Sequence, residues 1–485
     1  RHVGTALNVS RLRSTRTDLG RRCLASPLLT ATMDAATPIP RPPGDVDAPI
    51  DLPRVTGLQL RVFIACALVL FCDGYDMQSL ALAVPSLITQ FGVTANDFSL
   101  ALSASLFGMA IGGAVFAPLG DRIGRKPMLV AAMICLGAST LGALLIPSTL
   151  WIALCRLFTG IGLGIAGVNA AALSGEYAPA RWRFLIMTVL TCFVPLGAFL
   201  GAMTAPAIID ALTWRGIFYV GGFGPILIGC IALLLTAESL KWLLLRRPAD
   251  PRIAVIARQL APTLDPAELT VSTDQGATRQ SVFGLLMPAH RIRTLVVWLS
   301  VGSGAFSLYL MMSWLPTMLK EAHWSSADAL RGTAAVQLGG IFSSLLMAWA
   351  IDRRKLLPAV LCGYGCALLA FLAIGLLPGS VLGWQMLLVL AGAGTSGMQA
   401  VWMAIAVVLY PLELRATSAG WLSCVSRIGA VAAPFAGGAA LAAGVEPRHM
   451  LLGLVVPVGI SILAILLARR HFVPPPAVIL TGEAP

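Results

Sequence analysis

Charged side chains are scarce in this chain: Asp, Glu, Lys and Arg make up only 12% of its 485 residues, and the 22 acids are outnumbered by 34 Lys and Arg. So little charge, beside 57% hydrophobic residues and a mean hydropathy of +0.84, excludes an ordinary soluble domain. Histidine is scarcer still. His2, His290, His323, His449 and His471 lie in tails, loops or at span ends and do not cluster in sequence, so neither a metal centre nor an enzyme site is expected. The ten cysteines, among them Cys66, Cys72, Cys135, Cys155, Cys192, Cys230, Cys362 and Cys366, lack metal-ligand spacing and read as small core residues. Residues 1–32 begin with Arg, are rich in Arg, Ser and Thr, and lack the apolar central stretch of a secretory signal. Met33 is the expected natural start, and 1–57 reads as an extension and tail without fold of its own.

What is abundant is apolar sequence, recurring from Val62 to Leu467 in stretches long enough to cross a bilayer core about 30 Å thick. Polar breaks predict twelve spans, near 60–85, 97–119, 128–146, 150–172, 184–208 and 214–236, then 292–316, 328–350, 357–377, 382–408, 417–441 and 449–469. The expected organisation is an all-α membrane protein with a first six-helix half at 58–236, a linker at 237–291, a second half at 292–470 and a tail at 471–485. Positive charge gathers in alternate loops: Arg122, Arg125 and Lys126; Arg181 and Arg183; the linker; Arg353, Arg354 and Lys355; Arg415; Arg469 and Arg470. By the positive-inside rule these loops and both termini are cytoplasmic, so the formal charge of +12 is a topology signal and not a nucleic-acid surface. The halves repeat. Pro85 matches Pro316 and Asp121 matches Asp352 at a shift of 231 residues, while Pro179 and Arg183 match Pro411 and Arg415 at 232.

The loop after the second span reads Gly120-Asp121-Arg122-Ile123-Gly124-Arg125-Lys126-Pro127. An acid, a tight glycine turn and bases at helix ends form a lock that can be broken and remade, with Asp121 expected near the positive N-terminus of span eleven. This loop resembles the signature loop of the major facilitator superfamily, with Ala117 where the family pattern has Gly. The second-half copy, Asp352-Arg353-Arg354-Lys355, keeps acid and base but not the glycine. The resemblance implies the major facilitator fold, with substrate held between the halves near the bilayer midplane, and a cytoplasmic gate built from Asp121, Arg122, Gly124, Arg125, Glu176, Arg183, Asp352 and Arg353. Glu176 is expected to join Arg183 and the Asp121 loop.

Span one carries Asp73-Gly74-Tyr75-Asp76 inside an apolar run. Carboxylates in mid-membrane cost roughly 2.5–3.5 kcal/mol each and mark functional sites. At i and i+3 they share a helix face, and two acids so close cannot both ionise cheaply, which suits a proton-coupling site. The aligned residues of span seven, Gly304 and Ser307, carry no charge. This Asp-Gly-x-Asp, with Arg156-Leu157-Phe158-Thr159-Gly160-Ile161-Gly162-Leu163-Gly164 and Asn169 in span four, Ser313-Trp314-Leu315-Pro316, Tyr410-Pro411 and Arg427-Ile428-Gly429, resembles the aromatic acid:proton symporter family over about residues 58–470. The resemblance implies import of an aromatic carboxylate of hydroxybenzoate, protocatechuate, benzoate or phenylpropionate type with protons as coupling ion and no other cofactor.

Arg427, in span eleven, is expected to fork onto the substrate carboxylate, or to pair with Asp73 or Asp76 when the site is empty. Arg156 stands open between a helix contact and a binding role. Asn169, Gln337 and Gln399 are candidate orienting groups, and Tyr75, Trp314 and Trp402 candidate stacking rings, although packing is the commoner fate of each such residue. The alternative reading is a major facilitator transporter of another organic anion, or a drug or metabolite exporter; span five, Val194-Pro195-Leu196-Gly197, lacks the Gly-Pro pattern of the latter. The expected setting is the bacterial inner membrane, multi-pass, as a functional monomer.

Overall fold

The computed structural model describes residues 55–179, 181–260, 269, 282–353, 355–377 and 380–472. The expected tails, most of 261–281 and some individual side chains, among them those of Asp352 and Arg415, lie outside the described residues. The described chain is all-helical. In order it forms α1 (Gly57–Phe91), α2 (Ala95–Ile123), α3 (Arg125–Gly142), α4 (Thr149–Tyr177), α5 (Leu185–Leu212), α6 (Arg215–Leu235), α7 (Arg291–Glu321), α8 (Ser326–Asp352), α9 (Leu356–Leu376), α10 (Val381–Leu409), α11 (Leu412–Ala442) and α12 (Pro447–Leu467). Each of the twelve sequence spans falls on one of these helices. Among the described residues ten helical segments are long and apolar enough to cross a membrane; α3 and α8 are not among them. Leu154, Phe158, Leu227, Leu234, Leu369, Leu463 and Leu467 are exposed on the outside, a surface that suits hydrocarbon and not water.

Local sequence sets the helix ends. Thr56 caps α1 in a reciprocal box with Gln59, whose side-chain amide also donates to the Tyr177 carbonyl at 2.9 Å and so ties the start of α1 to the end of α4. Gly92, at φ +64°, closes α1 in a left-handed cap. α2 is not regular: a π turn at Gly112–Phe116 is followed by a 3-10 turn holding Pro118, which lacks the N–H to continue an α-helix.

The internal repeat reappears in the packing. A Cβ on Gly108 would strike the Leu157 carbonyl and one on Gly160 that of Ser105, which makes the α2/α4 crossing a glycine-lined close approach. Gly339 and Gly392 stand in the same relation to the carbonyls of Val389 and Val336 at the α8/α10 crossing. Gly197 meets the Phe71 carbonyl between α5 and α1 as Gly429 meets that of Gly302 between α11 and α7. The halves touch along α1/α7, α2/α11 and α5/α8. Trp314 is sealed at the α7/α11 contact, its indole N–H donating to the Pro434 carbonyl at 2.9 Å and its ring against Gly437 and Gly438.

The linker is more structured than a loop. Its helices Leu240–Arg246 and Arg252–Leu260 bury Leu240, Leu243, Ile253, Ile256 and Ala257 against the first half, in one apolar cluster with Leu58, Val62 and Tyr177. The cysteines divide: Cys66, Cys72 and Cys155 are buried as expected, whereas Cys230, Cys362 and Cys424 are exposed, in keeping with apolar helix faces that look outward.

Candidate functional site

The two acids of α1 part company. Asp76 is wholly buried and held by Arg156 of α4, itself 2% exposed, with guanidinium-to-carboxylate distances of 2.9 and 3.0 Å. The same guanidinium donates to the Asp76 carbonyl at 3.1 Å and to the hydroxyls of Ser79 and Ser105, and Thr140 of α3 donates to the carboxylate at 3.4 Å. A charge pair out of water persists only with such geometry and spare hydrogen bonds. Arg156, which the sequence left open between a helix contact and a binding role, is therefore the partner of Asp76, and Arg427 is not. Arg156 also borders a narrow crevice shared with Met77, Tyr309 and Ser313.

Asp73, half-buried, faces the other way. A Cβ on Gly167 of α4 would lie 3.9 Å from its Oδ2, and Arg427 of α11 and Tyr309 of α7 are close enough to interact with it electrostatically. Its Oδ1 is sealed from solvent with no hydrogen-bond partner. Arg427 makes no ion pair among the described residues and rests on the Met109 sulfur of α2. Beside it is a cavity of about 200 Å³ bordered by Tyr309, Gln399, Trp402, Ser423, Ser426 and Arg427. Gln399 donates to Ser426 and leaves its own carbonyl oxygen unpaired; Trp402 is braced by its N–H to the Tyr364 hydroxyl at 3.0 Å, which donates on to the Ser300 carbonyl at 2.7 Å. An unpaired guanidinium, an unpaired amide carbonyl and a fixed indole around one cavity can hold a flat ring that bears a carboxylate.

Of the expected pocket residues, Gln399 and Trp402 line this cavity and four do not. Tyr75 packs between Gly201 of α5 and Gly221 of α6 and donates to the Ile217 carbonyl at 3.2 Å. Asn169 donates to the Ile165 carbonyl of its own helix and sits on Gly120, where no side chain would fit. Gln337 faces Ser396 across the α8/α10 contact, and Trp314 is the α7/α11 wedge described above. Each is a large or polar group filling a helix crossing, which period and composition do not distinguish from a lining position. Tyr309, Ser423 and Ser426 are site residues that sequence reasoning missed; Ser426 is next to Arg427, and Tyr309 and Ser423 lie about one turn from Ser313 and Arg427 on the same helices.

The signature loop is built within one half. Gly124 adopts φ +121°, open to glycine, and a Cβ there would strike the Glu238 carboxylate. Glu238, buried and unremarked in the sequence, accepts from the backbone N–H groups of Arg125 at 2.9 Å, Lys126 at 3.2 Å and Ser239 at 2.9 Å, placing an anion on the N-terminus of α3. Arg125 pairs with Asp121 at 2.6 Å and Glu176 at 3.6 Å. Asp121 is exposed and pairs with Arg125 of its own loop. Arg183 is exposed, away from the Glu176 pairing; Arg122 is exposed; Arg353 lies 5.1 Å over the Trp349 ring.

The model for the Major Facilitator Superfamily matches residues 66–434 and 298–482. The 4-hydroxybenzoate transporter PcaK of Acinetobacter baylyi is 31% identical over 87% of this chain and 93% of its own length, and the gallate transporter of Pseudomonas putida 30% over 89% and 97%. The fold is similar to an inward-facing, unoccupied bacterial homologue of the human lysosomal transporter Spinster (TM-score 0.66, 19% identity, covering 86% of this chain and 98% of that one). It is also similar to the Escherichia coli xylose transporter XylE in a partially occluded inward-open conformation (TM-score 0.64, 18% identity, 86% and 100%). The relatives are transporters and not enzymes. With the superfamily signature, the acid-bearing first span and this likeness along most of its length, the chain belongs to the major facilitator superfamily, in its aromatic acid:proton symporter family.

Proposed function

We propose that the protein imports an aromatic carboxylate together with protons by alternating access between its two halves. What supports this reading is Arg427, of the second half, without an ion pair among the described residues, beside a cavity faced by Trp402 and Gln399 and within electrostatic reach of Asp73 of the first half. An aromatic acid satisfies that cavity: its carboxylate answers Arg427, its ring lies against the Trp402 indole, and a ring hydroxyl meets the Gln399 carbonyl. Bringing an anion to Arg427 removes the charge that favours ionised Asp73, so substrate and proton arrive together, and the neutralised site crosses the closed state at lower cost. The names of the relatives, transporters of 4-hydroxybenzoate, gallate and 3-(3-hydroxy-phenyl)propionate, support an aromatic acid as cargo.

In this reading all twelve helices span a bacterial inner membrane, both termini are cytoplasmic, the Asp121–Arg125–Glu176 cluster with Glu238 is the first-half side of a cytoplasmic gate whose other side carries Asp352 and Arg353, and the monomer works without a cofactor beyond the coupling protons. The test is uptake of radiolabelled benzoate, 4-hydroxybenzoate, protocatechuate and phenylpropionate into cells expressing the chain, with and without a protonophore. Protonophore-sensitive accumulation of one compound is expected. Accumulation that survives the protonophore would remove the coupling, and no uptake by correctly inserted protein would remove the aromatic acid.

A further inference from the structure

α7 carries Pro316 in its interior, and a proline has no N–H to offer the carbonyl four residues back. That carbonyl belongs to Met312. It is answered from the other half of the molecule: the side-chain amide of Gln78, on α1, donates to it at 3.1 Å. Gln78 is wholly buried, and its own amide oxygen has no hydrogen-bond partner among the described residues. A buried amide with one unpaired atom costs stability that an apolar side chain at the α1/α7 contact would not. Along α1 it lies beyond Asp73 and Asp76, counted from the end that Gln59 ties to Tyr177, whose hydroxyl donates to the Glu238 carbonyl beside the signature loop. One turn before Met312 is Tyr309, the repeat counterpart of Gln78 at the shift of 231 residues. Tyr309 borders two spaces of unequal size: the cavity of about 200 Å³ beside Arg427, and the crevice of about 10 Å³ that Met77 and Leu80 of α1 share with Arg156. The second has room for no more than a water.

We propose that Gln78 is a positioning residue for transport: its grip on the proline-freed Met312 carbonyl holds the Tyr309 turn of α7 against α1 and keeps the halves closed on the side of the site away from the signature loop. The proposal rests on the reading of the chain as an alternating-access transporter, and not on the identity of its cargo. The acceptor suits a bond that is made and broken in each cycle. A carbonyl inside a regular helix already has its partner, whereas Pro316 denies one to the Met312 carbonyl, so Gln78 supplies what the helix does not. When α1 and α7 part, water entering between them takes over both groups, and Tyr309 is free to leave the wall between crevice and cavity. Loss of the Gln78 donor therefore shifts the molecule toward the state open on that side. One net hydrogen bond corresponds to about fivefold in the ratio of the two states.

The test is hydrogen–deuterium exchange read by mass spectrometry on the full-length protein in detergent, without substrate, comparing wild type with Gln78→Met. The variant keeps the length of the side chain and loses the donor. Backbone amides in the turns at 92–98 and 321–326, at the end away from the signature loop, are expected to exchange up to about fivefold faster, while those of 120–127 do not accelerate. Pro316→Ala, which returns an N–H to the Met312 carbonyl, should reduce the effect of Gln78→Met when the two are combined. If Gln78→Met does not fold, Gln78→Asn keeps the amide but falls short of the carbonyl, and the same pattern is expected. Unchanged exchange in both turns, or acceleration alike at both ends of the bundle, would overturn the proposal. So would an undiminished effect of Gln78→Met in the Pro316→Ala background. Failure of aromatic acid uptake would leave each of these outcomes readable, because none of them uses a substrate.

Discussion

Asp73 and Asp76 sit one helical turn apart on α1, and their surroundings differ in the feature that matters most for a transporter. Asp76 is enclosed within one half, with Arg156, Thr140, Ser79 and Ser105 all drawn from α1 to α4. Asp73 lies beside Gly167 of α4 and within electrostatic reach of Tyr309 on α7 and Arg427 on α11 of the other half, one of its oxygens unpaired and Arg427 without an ion pair among the described residues. An interaction closed inside a body that moves as a unit is the same in every state and serves stability. An interaction divided between bodies changes as they move, and only such an interaction couples a proton to transport.

Breaking the enclosed pair should give the largest effect. Arg156→Ala leaves a buried carboxylate without a partner, a loss of about 3–5 kcal/mol. Thermal unfolding of the detergent-purified protein should show it as a large drop in midpoint, mostly restored in Asp76→Asn/Arg156→Gln. If the single variant unfolds like wild type, Asp76 has another partner and the contrast collapses. On the divided side, Arg427→Ala should leave the unfolding midpoint nearly unchanged and weaken substrate binding by about 2–5 kcal/mol, the range for truncating one member of a desolvated charge contact. Equilibrium binding of the transported acid reads this directly, and an unchanged affinity would take Arg427 out of the site.

Asp73→Asn tests coupling itself. One coupled proton in a gradient of one pH unit carries about 1.4 kcal/mol, or about tenfold accumulation. In proteoliposomes with that imposed gradient the wild type should concentrate its substrate, whereas Asp73→Asn should only equilibrate it while still exchanging labelled for unlabelled substrate. Concentrative uptake by the variant would place the proton elsewhere.

The helical spans, the two-fold repeat and the placing of the α1 acids among apolar side chains were legible because each depends on periodicity, or on a charge in an apolar run. The repeat even extends to glycines the motif comparison did not use, Gly108 with Gly339 and Gly160 with Gly392, since a close crossing permits no Cβ in either half. Partnership was not legible. Asp73 and Asp76 share a helix face by spacing, yet a turn of α1 between α3, α4 and α11 is enough to send them to different arginines. Tyr75, Asn169, Gln337 and Trp314 have the composition of a binding site and the positions of crossing fillers, a distinction set by neighbours far away in sequence.

Glu238 offers the finest test of the contrast, because it is a charge in a gate region that nonetheless belongs to the enclosed class. Its carboxylate accepts from three backbone N–H groups and fills the space beside Gly124, joining the start of the linker to the first half on which it packs, with no partner from the second half among the described residues. Glu238→Gln keeps the shape and one acceptor but removes the anion from the N-terminus of α3. A loss of about 1 kcal/mol is expected from the capping and dipole contributions together. If the enclosed class governs stability alone, the variant should melt slightly earlier and still accumulate substrate to the wild-type ratio. A lowered accumulation ratio at unchanged melting would mean that Glu238 is exchanged between partners during the cycle, and the line between the two classes would then have to be drawn at the gate and not at the boundary between the halves.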